Sequence, residues 1–90
     1  MIRRNQVVLD SKNRVYVMST QQHSVVICLS PDYATTYLNL AELTGLDIET
    51  LYVLVMRLKR AKLVEAQKVG RETEIRLAGP LYYPTVRYCM

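Results

Sequence analysis

Six cations, Arg57, Lys59, Arg60, Lys62, Lys68 and Arg71, crowd one stretch of the chain, and Arg3, Arg4, Lys12 and Arg14 form a second basic cluster near its start. Such groups can neutralise phosphates, and the net charge of +4 suits a polyanionic partner. The bland alternative is a solvated helix end whose lysines and arginines complement the helix dipole. Other chemistry has little support. Cys28 lies in an apolar run, Cys89 stands next to the last residue, and His23 is the lone histidine, so no metal-ligand spacing exists. Cys28 reads as a small core residue, His23 as a surface or satisfied side chain, and both cysteines as the reduced thiols of an intracellular protein. Asp47 and Glu49 have no partner carboxylate or nucleophile in a motif, and read as helix-cap residues. With no phosphate loop, zinc pattern or catalytic triad, we expect neither an enzyme nor a cofactor.

The elements that must position these cations are small. Ninety residues make one domain, half of them apolar and 22% charged, which is globular composition. So short a chain buries a small core, which makes a homodimer plausible. Seven tyrosines with no Phe or Trp suit half-wet surfaces. The longest apolar run, 51–56, is too short to span a bilayer, and no signal peptide is evident, so a cytoplasmic protein is expected.

After a start, 1–5, expected to be mobile, the β-branched runs 6–9 and 14–18 flank Asp10-Ser11-Lys12-Asn13 and predict a hairpin. Ser19 and Gln22 have capping-box spacing, predicting a helix over 21–29 stopped by Ser30-Pro31, with a strand over 25–29 as the rival. Residues 32–36 read as loop and Tyr37-Leu38 as a short strand. Asn39 is the expected cap of a helix over 40–44, with Glu42 completing its cap and Leu40 and Leu43 on the buried face. Gly45 suits a left-handed helix end and Asp47 the next cap. Ile48, Leu51, Leu54, Val55, Leu58 and Ala61 then repeat at helical steps, leaving Tyr52, Val53 and Met56 off the stripe. A strand over 51–56 is the competitor. Residues 64–69 and 73–77 alternate around Gly70-Arg71-Glu72 as a second hairpin. The tail after Gly79-Pro80 is too apolar to be free and is expected to pack on the domain or on a second subunit.

The segments QQHSVVICL, NLAELTGL, DIETLYVLVMRLKRAKLV and EAQKVGRETEIRL together resemble the winged helix-turn-helix domain of bacterial and archaeal transcriptional regulators. The resemblance covers residues 20–78, within a domain of 1–18 (hairpin extension), 19–78 (winged-helix core) and 79–90 (tail). It implies an α+β fold of three helices with a two- to three-stranded antiparallel wing sheet, plus the N-terminal hairpin. It also implies a small DNA-binding regulator that acts as a homodimer on double-stranded DNA. The third helix, 47–63, would enter the major groove and the wing, 64–78, would lie on backbone or minor groove.

Groove-facing candidates are then Ile48, Glu49, Thr50, Tyr52, Val53 and Arg57. Phosphate candidates are Lys59, Arg60 and Lys62, with Thr36, Tyr37 and Asn39 at the second helix, and Arg71 for the minor groove. A stand-alone domain of this size also suits a phage, plasmid or archaeal-virus protein, working in the host cytoplasm. Two departures stand out. Lys62 occupies a place where many members carry Gly, and Ile48, Tyr52 and Val53 stand where Arg, Asn or Gln would read bases. A protein-interaction module using the apolar face of the third helix is the alternative.

Overall fold

The computed structural model describes residues 6–83. Strands β1 (Gln6–Asp10) and β2 (Val15–Met18) form the N-terminal hairpin, and helix α1 (Thr20–Ile27) follows. Strand β3 (Thr35–Thr36) leads directly into α2 (Tyr37–Thr44), and α3 (Ile48–Arg60) precedes the wing strands β4 (Val64–Val69) and β5 (Glu72–Leu77). A last strand, β6 (Leu81–Tyr82), completes an α+β fold of winged-helix-like form with three helices and two three-stranded antiparallel sheets.

The expected local signals for α1 and for the turn before α3 operate. Ser19 Oγ accepts from Gln22 N–H at 3.2 Å, and the Gln22 side chain accepts from Ser19 N–H at 3.2 Å, closing the capping box. Gly45 caps α2 with φ of 74°, and Asp47 caps α3 by accepting from Thr50 N–H at 3.1 Å. The segment 51–56 is helix, as its flanks required.

Four expectations around α2 are corrected. Tyr37-Leu38 begins a helix, and the short strand lies just before it, where Thr35 pairs with Ile75 and Thr36 with Glu74. The cap of α2 is therefore Thr36, whose hydroxyl accepts from Asn39 N–H at 3.2 Å, while Asn39 instead donates its amide to Thr35 Oγ1 at 2.7 Å. Glu42 loses its capping position and is exposed. With the helix starting at Tyr37, the inward stripe becomes Tyr37, Leu40, Ala41 and Thr44, so Leu43 turns outward and is 60% exposed.

The core is built from every element that can face inward. Leu51, Leu54, Val55 and Leu58 of α3 are buried, with Val25 and Val26 of α1, Leu40 of α2, and Ile75 and Leu77 of β5. Ile48 and Ala61, expected on that stripe, are exposed at the helix ends. The first hairpin gains a third strand, because Leu9 and Asp10 pair with Tyr82 and Leu81 of β6. The tail through Tyr83 thus packs on its own domain, with the Tyr83 hydroxyl donating to Val26 O at 3.2 Å. His23 meets Tyr83 edge-on, and Cys28 caps α1 half-buried beside the core. The expectations for 1–5, Cys89 and the rest of the tail lie outside the described residues.

The end of α3 closes with a left-handed residue. Leu63 N–H donates to Leu58 O at 3.1 Å and Lys62 N–H to Lys59 O at 3.0 Å, the bond pair of a Schellman motif. Lys62 therefore holds φ of 63° where glycine would be unstrained.

Candidate nucleic-acid interface

Asp47 and Gly45 fix how α3 leaves α2, and Leu51, Leu54, Val55 and Leu58 clamp its inner face. The opposite face is thereby turned out. Its most outward line, at steps of four, three and four residues, is Glu49, Val53, Met56 and Arg60, with Ile48 and Tyr52 on one flank and Thr50 and Arg57 on the other. Ile48, Tyr52, Val53 and Met56 are 45, 56, 49 and 37% exposed, a large apolar area for a free helix face. Tyr52 leans on Tyr37 of α2, with ring centroids 5.7 Å apart and planes tilted by 37°. Burial, and secondarily its neighbour Tyr52, pushes the Tyr37 hydroxyl above the usual tyrosine range, so it stays a neutral donor at neutral pH.

The wing tip is a two-residue loop between Val69 and Glu72, with positive φ at Gly70 but not at Arg71, as a type II′ turn requires. The register carries Arg71, Glu72 and Thr73 to the start of α2, where they line a cavity of about 220 Å³ with Thr36, Tyr37 and Leu38. Arg71 thus joins two sequence-predicted neighbours, Thr36 and Tyr37, while the exposed Asn39 lies outside the lining of that cavity. The first turn of α2 holds no acidic residue, whereas that of α3 holds Glu49 beside the Asp47 cap. The freer anion site of the two is therefore α2, whose leading N–H groups and positive dipole end lie beside Arg71.

The basic end of α3 belongs to a different neighbourhood. Twelve residues separate Ile48 from Arg60, about 18 Å along the axis, so the helix cations stand far from its first turn. Lys59 lies along a groove shared with Glu65, Glu74 and Arg76 of the wing sheet, which brings two carboxylates and a second cation to its neighbourhood. Lys62 faces the other way. With Lys12, Arg14, Asp10 and Tyr16 of the first hairpin and Gly79 and Pro80 it lines a cavity of about 290 Å³. The Asp10 carboxylate in that cavity is already engaged, accepting from Lys12 and Arg14 N–H at 2.9 Å each and from the Tyr16 hydroxyl at 3.1 Å. The Arg14 N–H bond above all holds its pKa below the usual carboxylate value.

In the sequence Lys12 and Arg14 belong to a cluster separate from Lys62, and the fold brings the three to one cavity. Only a charge count pointed at them, because the junction depends on β6 drawing the hairpin onto the end of α3. Among the described residues no group of His, Cys, Asp and Glu could hold a metal ion. Nor is any described helix long and apolar enough to cross a membrane. No family model, curated protein or solved structure matches the chain.

Proposed function

We propose that this chain binds double-stranded DNA as a small transcriptional regulator. The observation that carries the reading is the wing tip: Arg71 shares a cavity with Thr36–Leu38 at a helix start whose own first turn has no acidic residue, Glu72 being the one carboxylate of that cavity, and the outward face of α3 is exposed beside it. A phosphate can sit between Arg71 and the α2 N-terminus while α3 enters the major groove. On α3 the chemistry favours thymine methyls for Ile48, Tyr52 and Val53, and a cytosine amino group for Glu49. Base reading is thus narrow, and phosphate contacts carry most of the affinity. A duplex titration at two salt concentrations tests it. Binding should weaken steeply with salt, and Arg71→Ala should reduce it. Absence of binding at low salt ends this reading.

A second reading rests on the apolar outer face of α3 itself, which fits a partner protein's groove or helix. Replacing Tyr52 and Met56 by Ser should then abolish that complex while far-ultraviolet circular dichroism stays native. A complex that survives both changes excludes it.

A further inference from the structure

The N-terminal sheet is apolar on both sides. Its inner face puts Val8 and Met18 into the core. Cross-strand register places Val7 opposite Val17, Leu9 opposite Val15, and Leu9 opposite Tyr82, so these five side chains share the outer face. Val15 and Val17 are each 62% exposed and Tyr82 is 55% exposed, while Val7 and Leu9 are partly covered. An antiparallel sheet with one solvated side normally alternates apolar with polar residues, and this one does not. Its outer edge strand, Val15–Met18, also lacks the charge or proline by which free edges are protected.

We infer that this outer face packs against the same face of a second copy, making the N-terminal sheet the dimer interface. The five side chains offer on the order of 400 Å² of apolar surface, a patch size that on monomers often marks a contact site. A standard interface covers about 800 Å² per partner, a little over half of it apolar, so this centre with a polar rim of equal size fits. Two such sheets stack about 10 Å apart, interdigitating their valines around a two-fold axis. The chemistry of the face suits a second copy. The five positions include no ionisable group but the tyrosine hydroxyl, so two chains of net charge +4 meet there without setting charged side chains of the face against each other. The inference does not depend on DNA binding.

Sedimentation equilibrium of the full chain from low to high micromolar concentration tests it. The mass should rise from 10.4 kDa towards twice that value, and Val15→Glu or Val17→Glu should each hold it at the monomer value. Both valines are largely exposed, so the variants should keep native circular dichroism. Should a variant unfold, isotope-filtered NOEs between Val15 and Val17 methyls of differently labelled wild-type copies give the same answer. A wild-type monomer throughout, a dimer untouched by the glutamates, or a dimer without those NOEs overturns the inference. So does dimerisation that appears only after removal of residues 84–90, which would assign the face to the chain's own tail.

Discussion

At Lys62 a charged side chain sits in a backbone conformation that glycine adopts freely. The Schellman bonds from Leu63 and Lys62 fix that geometry, and the left-handed region costs an L-residue about 1 kcal/mol. Lys62→Gly should therefore raise stability by roughly 0.5–1 kcal/mol, a rise of a few degrees in Tm for a domain of this size. The same change removes one of three cations around the cavity of Lys12 and Arg14, so DNA affinity should fall as Tm rises where the duplex backbone runs past the end of α3, and stay unchanged where it touches only the wing end. A melt and a duplex titration on one variant check both. If Tm falls, the lysine stem contributes more packing than the backbone costs.

Asp47 gives a pH signature. Its carboxylate is lowered below 3.8, first by the Thr50 side-chain hydrogen bond and next by the Thr50 backbone bond. A lowered folded-state pKa means that its stabilising contribution is present above the unfolded value and is lost as pH falls through the folded one. Asn is an equally good cap but does not titrate. Asp47→Asn should leave the melt at pH 7 unchanged and flatten the loss of stability below about pH 4, where the unfolded carboxyl begins to protonate. Unchanged acid sensitivity would place the titration elsewhere, with Asp10 the next group to substitute.

Among the elements, α3 decides whether the domain folds. Leu51 is fully buried where the helix meets α1 and α2, so Leu51→Ala should cost about 2–5 kcal/mol. That is a large share of the stability of any small domain, and denaturant unfolding would measure it. The exposed Val53, two residues on and on the opposite face of the helix, should tolerate Ala within about 0.5 kcal/mol, which makes it the control. Local chemistry made α3 readable, because Asp47 starts it, cations end it, and the stripe between them is helical throughout.

Around α2 local chemistry was ambiguous. Thr36 and Asn39 are both good caps three residues apart, and what chooses Thr36 is its extended backbone pairing with Glu74 of β5. That pairing lies 38 positions away in sequence and leaves no local trace, so the start of α2 and the outward turn of Leu43 were not legible. The same holds for β6, whose two residues become a strand only because β1 is there to receive them. For the candidate site, Arg71 at a wing tip was legible from Gly70 and the alternation around it. Its closeness to α2 was not, and neither was the split that leaves Lys59 beside carboxylates and Lys62 beside the hairpin.

Among the described residues Arg71, Lys59 and the group of Lys12, Arg14 and Lys62 stand in three different settings, and a salt titration can tell them apart. Each phosphate neutralised contributes about −0.9 to the slope of log K against log salt, so an Ala variant that loses one contact reduces that slope by about 1. Arg71→Ala should do so, because Arg71 stands beside the α2 N-terminus with no carboxylate among the cavity's residues except Glu72. Lys59→Ala should change the slope least, since its groove holds two carboxylates, Glu65 and Glu74, with Arg76 as a second cation, and so has little net charge to lose to a phosphate. Lys12→Ala and Arg14→Ala discriminate between two geometries. Their cavity lies at the far end of α3, so a duplex touching only the wing end leaves their slopes unchanged. A duplex whose backbone also runs past the end of the helix loses about one unit with each. Equal effects from Lys59, Arg71 and Lys12 would mean a diffuse field with no defined contacts, and would remove the wing-centred geometry while leaving DNA binding itself in place.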